Sequence, residues 1–172
     1  MIQSIKWTDR QFKFDFPVGV YPWIIERLRG TPARVEELVR MLPPGILTKR
    51  INDKWSIQES IGHLSKVEIL HDGRIDDFLA KKATLRPADM ENKLTEAADF
   101  NSKAIADILK SFRTLRMKLV ERLERLDDAL VARPSHHPRL DIPMRPVDMA
   151  YFIAEHDDFH IAAVTRLARA LM

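Results

Sequence analysis

Residues 54–64, KWSIQESIGHL, hold the reading on which the fold turns. Ser56 followed three residues later by Glu59 makes a capping box: the Ser56 hydroxyl accepts from the Glu59 amide, and the Glu59 carboxylate reaches back to the Ser56 N–H. Trp55 stands just before the cap, where a hydrophobic staple forms. From Ile57 onward, Ile61, Leu64 and Ile75 recur at helical spacing. The helix should reach Ala80, about 25 residues and ~37 Å at the usual rise.

Three more amphipathic helices flank it. Upstream, Ile24, Ile25, Leu28, Val35, Leu38, Val39 and Leu42 mark a buried stripe over residues 20–41. Thr31-Pro32 interrupts that stripe and predicts a kink, or a fresh start with Thr31 as N-cap. Pro43-Pro44-Gly45 ends it. Downstream, residues 81–100 form a polar loop that is long for a bundle, and such loops often cover a site. A third helix is expected over 101–126, with Ile105, Ile108, Leu109, Phe112, Leu115, Leu119 and Leu123 buried. Its basic residues Lys110, Arg113, Arg116, Lys118, Arg122 and Arg125 read as a solvated face. Residues 127–131 read as a short turn. Pro134, Pro138, Pro143 and Pro146 punctuate the next loop, which carries His136 and His137, and Pro146 suits the first turn of a fourth helix reaching Ala170.

Ahead of these, residues 1–18 read as an irregular or extended arm. Phe12, Phe14 and Phe16 alternate with Lys13 and Asp15, which places three rings on one side. The arm is expected to pack along the bundle or onto a second subunit. There is no internal repeat and no convincing strand beyond the arm. The pattern describes an all-α single domain over 1–172: a four-helix bundle with an extended N-terminal arm.

Composition narrows the chemistry. A chain of 172 residues with 45% apolar and 31% charged residues suits one soluble domain. A bundle of this size can bury its core without disulfides or a structural metal. The chain contains no cysteine, which removes disulfides, cysteine zinc ligands and an internal thiol nucleophile. A formal charge of +3 is too small an excess to argue for a nucleic-acid partner. The N-terminus lacks a signal-peptide pattern, and no apolar run approaches membrane-spanning length. A cytoplasmic protein acting on a small molecule, with no nucleic-acid or membrane partner, is the expectation.

Three histidines fall at informative places. His156 and His160 are four residues apart, so about 40° separates them around a helix. Met149, Phe152, Phe159, Ala163 and Leu167 lie within about 60° of His156, so the pair faces the bundle interior. Two buried imidazoles are costly unless their ring nitrogens are satisfied, and a metal ion does so. His63, two turns beyond the Ser56 cap, borders the core from another helix and supplies a third ligand. Three neutral imidazoles leave coordination positions open, as in a catalytic site. All-nitrogen ligation suits zinc or nickel, with copper and iron(II) as further options. Glu155, Asp157 and Asp158 are candidates to orient the ligands, although solvated charges are the simpler reading. His71 lies about 80° off the His63 line and reads as ordinary. Glu59, one turn before His63, and His137 are candidate catalytic groups. The capping box competes for Glu59, and a surface position is the simpler reading of His137.

At these residues the sequence resembles the DinB/YfiT-like family of metal-dependent enzymes. The resemblance is carried by Lys54–Glu59, Gly62-His63-Leu64 and Glu155-His156-Asp157-Asp158-Phe159-His160. It extends through Arg29–Arg34, Gly73–Leu79, Leu85–Asp89 and His137–Leu140, nearly the whole chain. It implies a four-helix bundle in up-down-down-up order, often a homodimer, with metal ligands at His63, His156 and His160. The chain departs from the family pattern at Lys66 and His71, where an acidic and an apolar residue are expected.

The resemblance implies several activities. Similar proteins include transferases and isomerases that use low-molecular-weight thiols such as mycothiol or bacillithiol, and hydrolases. Thiol-dependent S-transfer or isomerisation leads: a metal lowers the pKa of an incoming thiol, and a chain without cysteine would take that thiol from a cofactor. Hydrolysis by metal-bound water is the alternative. A non-catalytic metal-binding stress or structural protein is the rival from another class.

Overall fold

The capping box forms in the computed structural model, which describes residues 5–172 of the chain. Ser56 Oγ accepts from Glu59 N at 3.1 Å, and Ser56 N donates to Glu59 Oε2 at 2.8 Å. The helix it opens is one of four long ones: α1 (Tyr21–Arg40), α2 (Ile57–Leu79), α4 (Ile105–Glu124) and α6 (Pro146–Leu171). Two single turns, α3 (Lys93–Glu96) and α5 (Asp128–Val131), lie between them. No helix of the described residues is long and apolar enough to cross a membrane.

Both α1 and α2 pack on α4 and on α6, so α1 and α2 stand on a diagonal. Ion pairs fix the directions. Glu68 meets Arg116 while Asp72 and Asp76 meet Arg122, so α2 and α4 run parallel. Arg27 meets Glu155 and Thr31 meets Asp157, so α1 and α6 run parallel. Arg29 with Glu124 and Glu36 with Arg113 set α1 antiparallel to α4. This is the up-down-down-up order. It also explains the long polar loop: parallel neighbours cannot be joined by a tight turn, so the chain after α2 must travel back along the bundle.

Pro32 does not break α1, which is continuous through it. A proline at 32 leaves the Leu28 carbonyl without its helical donor. The Arg116 guanidinium on α4 lies 3.4 Å from that oxygen and donates to it. Arg116 therefore departs from the expected solvated face. It is fully buried, and its partners are the buried carboxylates Glu68 and Asp157. Its place follows from the helical period, since it lies one turn beyond buried Phe112 and one turn before buried Leu119. The other basic residues of this stretch that form ion pairs, Arg113, Lys118 and Arg122 on α4 and Arg125 just after it, sit at or near the surface.

The core divides in two along the bundle. One part gathers Leu28, Ile75, Phe78, Leu119, Val147 and Ile153; the other gathers Val35, Ile57, Ile61, Leu64, Phe112 and Val164. Described residues of the arm lie against the first part. Phe12, Phe14 and Phe16 all face inward while their neighbours are exposed, as their two-residue period requires. Arg145 donates to the carbonyls of Phe14 and Phe16 and ties the arm down. Residues 1–4 of the expected arm lie outside the described residues.

Two local expectations are corrected. Residues 135–144 form a small antiparallel ribbon, β1 (Ser135–His137) with β2 (Ile142–Met144), where no strand was expected. Proline density hid it: Pro143 lies opposite His136 and lends no N–H to the pairing, so the sequence reads as loop. The third long helix starts at Ile105 rather than at 101, because the Gln58 amide donates to the carbonyls of Phe100 and Lys103 and holds that segment in another shape. The short turn expected over 127–131 is the single helical turn α5, in which Asp127 Oδ1 accepts from Leu130 N at 2.7 Å.

Candidate metal centre

α2 and α6 run antiparallel and bring His63 opposite the His156–His160 pair. The ring centroids are 4.8 Å apart for His63 and His160, 5.4 Å for His63 and His156, and 4.5 Å for His156 and His160. One nitrogen from each ring lies within 4.8 Å of the other two, and all three residues are buried. No other described group of His, Asp and Glu side chains converges this way.

The cluster fits a metal ion on two counts. His156 Nε2 and His160 Nε2 are 3.1 Å apart. Tetrahedral nitrogen ligands at the usual bond length stand ~3.4 Å from each other, so the spacing is close to that of two ligands on one ion. The rings are also held neutral, the form that binds a metal. Burial, with the neighbouring His71, pushes His63 down to about 4. Burial, with His63, pushes His160 down to about 3. Burial and then the other two rings hold His156 well below the ordinary histidine range.

Thr95 was not singled out by the sequence. Its hydroxyl lies 3.0 Å from His63 Nδ1. A threonine that accepts from Nδ1–H leaves Nε2 with its lone pair, the outer contact that orients a metal-binding imidazole. Thr95 belongs to α3 in the long loop, so the loop reaches the site through this residue. The carboxylates proposed for this orienting role do something else. Asp157 bonds Arg116 and Thr31, while Glu155 and Asp158 pair with arginines, Arg10 and Arg27 in one case and Arg27 and Arg34 in the other. Glu59 is taken by the capping box and by Arg50, whose Nε donates to Oε2 at 2.8 Å. These bonds, Arg50 foremost, pull Glu59 down to about 2.

Two tryptophans wall the cluster. The Trp7 ring meets His156 edge-on at 5.0 Å. Trp55 lies 4.7 Å from His63 and donates to Glu96 Oε1 at 2.6 Å, so it turns to the site. The residue a staple would need, at position 60, is a serine.

The three histidines line a cavity of about 480 Å³ to whose wall the long loop contributes residues 86–90, Asn92, Leu94 and Thr95. His137 lines it and is 1% exposed, in contrast to its expected surface place. His71 lines it too, 4% exposed, where an ordinary position was expected. Arg74 and Arg139, not singled out by the sequence, join Lys66 and Arg86 in the basic part of the wall. No sequence period marks Arg139, because only the turn between β1 and β2 brings it to the cavity.

The DinB superfamily profile matches residues 27–164 of the chain. No curated protein matches it. Among solved structures the chain is similar to YfiT from Bacillus subtilis, described as a probable metal-dependent hydrolase with an unusual four-helix bundle topology. That similarity has a TM-score of 0.81 at 20% identity and covers 94% of this chain and 93% of YfiT.

Proposed function

The chain belongs to the DinB superfamily, and from that premise we propose that it holds one divalent metal ion with His63, His156 and His160 and uses it on a small molecule in the cavity. The observation that carries the reading is the convergence of three buried imidazoles in the wall of a 480 Å³ cavity. An all-nitrogen set suits zinc or nickel first. When bound, such an ion lowers the pKa of a thiol or a water in its open position and makes it a nucleophile near neutral pH.

The chain's own residues favour a thiol brought in as cofactor. Among the described residues that line the cavity, Asp89 is the one carboxylate, and its oxygens accept from Glu91 N and Lys93 N. Among the described lining residues, then, no free carboxylate stands ready to take a proton from water. Thr95 orients His63, and the Trp7 and Trp55 rings screen the cluster's sides from solvent. With no cysteine in the chain, the thiol comes from outside. Transfer or isomerisation dependent on a low-molecular-weight thiol is therefore the reading we place first.

Hydrolysis is the second reading. It is the activity named for YfiT, and one group here supports it: His71 lines the cavity, and Glu68 Oε1, 3.6 Å from its Nδ1, faces the ring from behind. A conjugation assay decides between them, run with an electrophile and bacillithiol or mycothiol on metal-loaded protein and on His63→Ala. Thiol-dependent turnover lost in the variant supports the transferase. Turnover by water alone supports the hydrolase. No turnover, with a large metal-dependent rise in melting temperature, would point to a structural metal instead.

A further inference from the structure

At the Phe152 level of the cavity, hydrogen-bond donors collect without acceptors. Leu140 N donates to His137 Nδ1 at 3.2 Å, so the ring proton of His137 sits on Nε2. That Nε2 is buried and has no hydrogen-bond partner among the described residues. Arg139 Nη2 is in the same condition. Both residues lie against the Phe152 ring, His137 with centroids 5.6 Å apart and the Arg139 guanidinium 5.7 Å from the ring centre.

Arg74, 1% exposed, stands with them and gives its Nε and Nη2 to a backbone carbonyl, that of Arg86. Neither Arg74 nor Arg139 has an ion-pair partner among the described residues, and the nearby Asp77 is occupied by Arg86 and Lys82. The local field records the imbalance. Burial, and then the repulsion of Arg139, lowers Arg74 to about 10, while burial and then Arg74 and Arg139 push His137 down to about 3. Buried donors are nearly always satisfied in folded proteins, so a set of orphans around one cavity calls for an acceptor that enters it. Guanidinium groups match a carboxylate in geometry as well as charge.

We propose that this wall is an anion subsite, in which Arg74, Arg139 and His137 Nε2 bind the carboxylate of a small organic acid. The rest of the wall selects the remainder of the ligand: Val67, Leu70, Leu94 and Phe152 give it an apolar body. Phe152 precedes His156 by four residues, about 6 Å along the helix. An acid held at Phe152 thus extends its other end toward the histidines, which makes an amphipathic carboxylic acid the substrate class. That last step rests on the metal-site reading above; the binding itself does not.

The test is therefore made on protein stripped of metal by chelation. 4-Phenylbutyrate and its neutral analogue 4-phenylbutanamide are titrated by calorimetry, with inorganic phosphate as a third arm. The acid should bind at least tenfold more tightly than the amide. Arg139→Gln, in the turn between β1 and β2 and without an ion-pair partner to lose among the described residues, should erase that preference while keeping the parent melting temperature. Equal binding of acid and amide, or an Arg139→Gln protein that still discriminates, would overturn the subsite. Phosphate binding as tightly as the acid would overturn the organic-acid assignment. A chain that takes no metal can still pass this test, so the two readings fail separately.

Discussion

Arg116 Nη2 donates to Asp157 Oδ1 at 3.0 Å, and both side chains are fully buried. The same guanidinium holds Glu68 on α2 and reaches Leu28 O on α1, while Thr31 donates to Asp157 at 3.0 Å. One arginine on α4 thus touches all three other long helices. Asp157 is the neighbour of His156, and Glu68 lies on the helix that carries His63. The network therefore holds in register the two helices that present the histidines.

Removing the arginine should leave two buried carboxylates without their cation. Arg116→Met is expected to cost about 3–5 kcal/mol, read as a lower urea midpoint. Replacing Arg116, Glu68 and Asp157 together with apolar residues should recover most of that loss, because no charge is then left uncompensated. Equal stability of the single and triple variants would contradict the account.

Thr95→Val removes the acceptor from His63 Nδ1 and keeps the shape of the side chain. Metal affinity should fall by about tenfold or more, measured by competition with a chromophoric chelator. The metal-free protein should lose no more than about 1–3 kcal/mol, the cost of leaving the buried His63 Nδ1–H without its acceptor.

Acid should weaken the metal-free protein in two stages. His63 at about 4, and His160 and His137 at about 3, are held below their unfolded value, so the unfolded chain takes up protons first as the pH falls. Their contribution is complete above about pH 6.5 and is lost progressively below it, at up to ~1.4 kcal/mol per group per pH unit. Glu68 adds a second stage. Burial raises its pKa, but Arg116 and His71 outweigh that and hold it at about 2. Its contribution is present above its unfolded value near 4.5 and fades as the pH drops toward 2. Thermal melts from pH 8 to pH 3 should show a decline that begins near 6.5 and steepens below 4.5.

Two helical glycines should both resist alanine, for different reasons. A Cβ at Gly62 would come within 2.4 Å of the buried Phe100 ring, whereas at Gly73 it meets the Arg86 guanidinium at 2.0 Å, which Nε and Nη2 tie to the buried Asp77 at 2.9 Å each. Gly62→Ala should lose on the order of 1–3 kcal/mol through overpacking. Gly73→Ala should lose at least about 1 kcal/mol, because Arg86 can make room only by loosening its hold on the Asp77 carboxylate. Denaturation midpoints of the two variants make the comparison.

The long helices and the three histidines were legible because local chemistry writes them into short stretches. Ser56 and Glu59 make their box within one turn, and His156 and His160 share a face by spacing alone. Arg116 was also within reach, since the helical period passes through it; its charge hid its burial. Thr95, Arg74 and Arg139 were beyond reach for another reason. Their positions depend on how a returning loop and a proline-rich ribbon settle over the bundle, and no period in the sequence carries that information. His137 followed the same logic, since only the ribbon places it in the cavity.

The central claim is that the rings of His63, His156 and His160 together hold one ion. The most direct measurement is a titration of zinc or nickel into chelator-stripped protein lacking any histidine tag, alongside His63→Ala and His160→Ala. One ion per chain, lost in both variants while their helical content stays intact, is the expected result. An unvaried chain that takes up neither metal, or variants that bind as tightly as the parent, would contradict it.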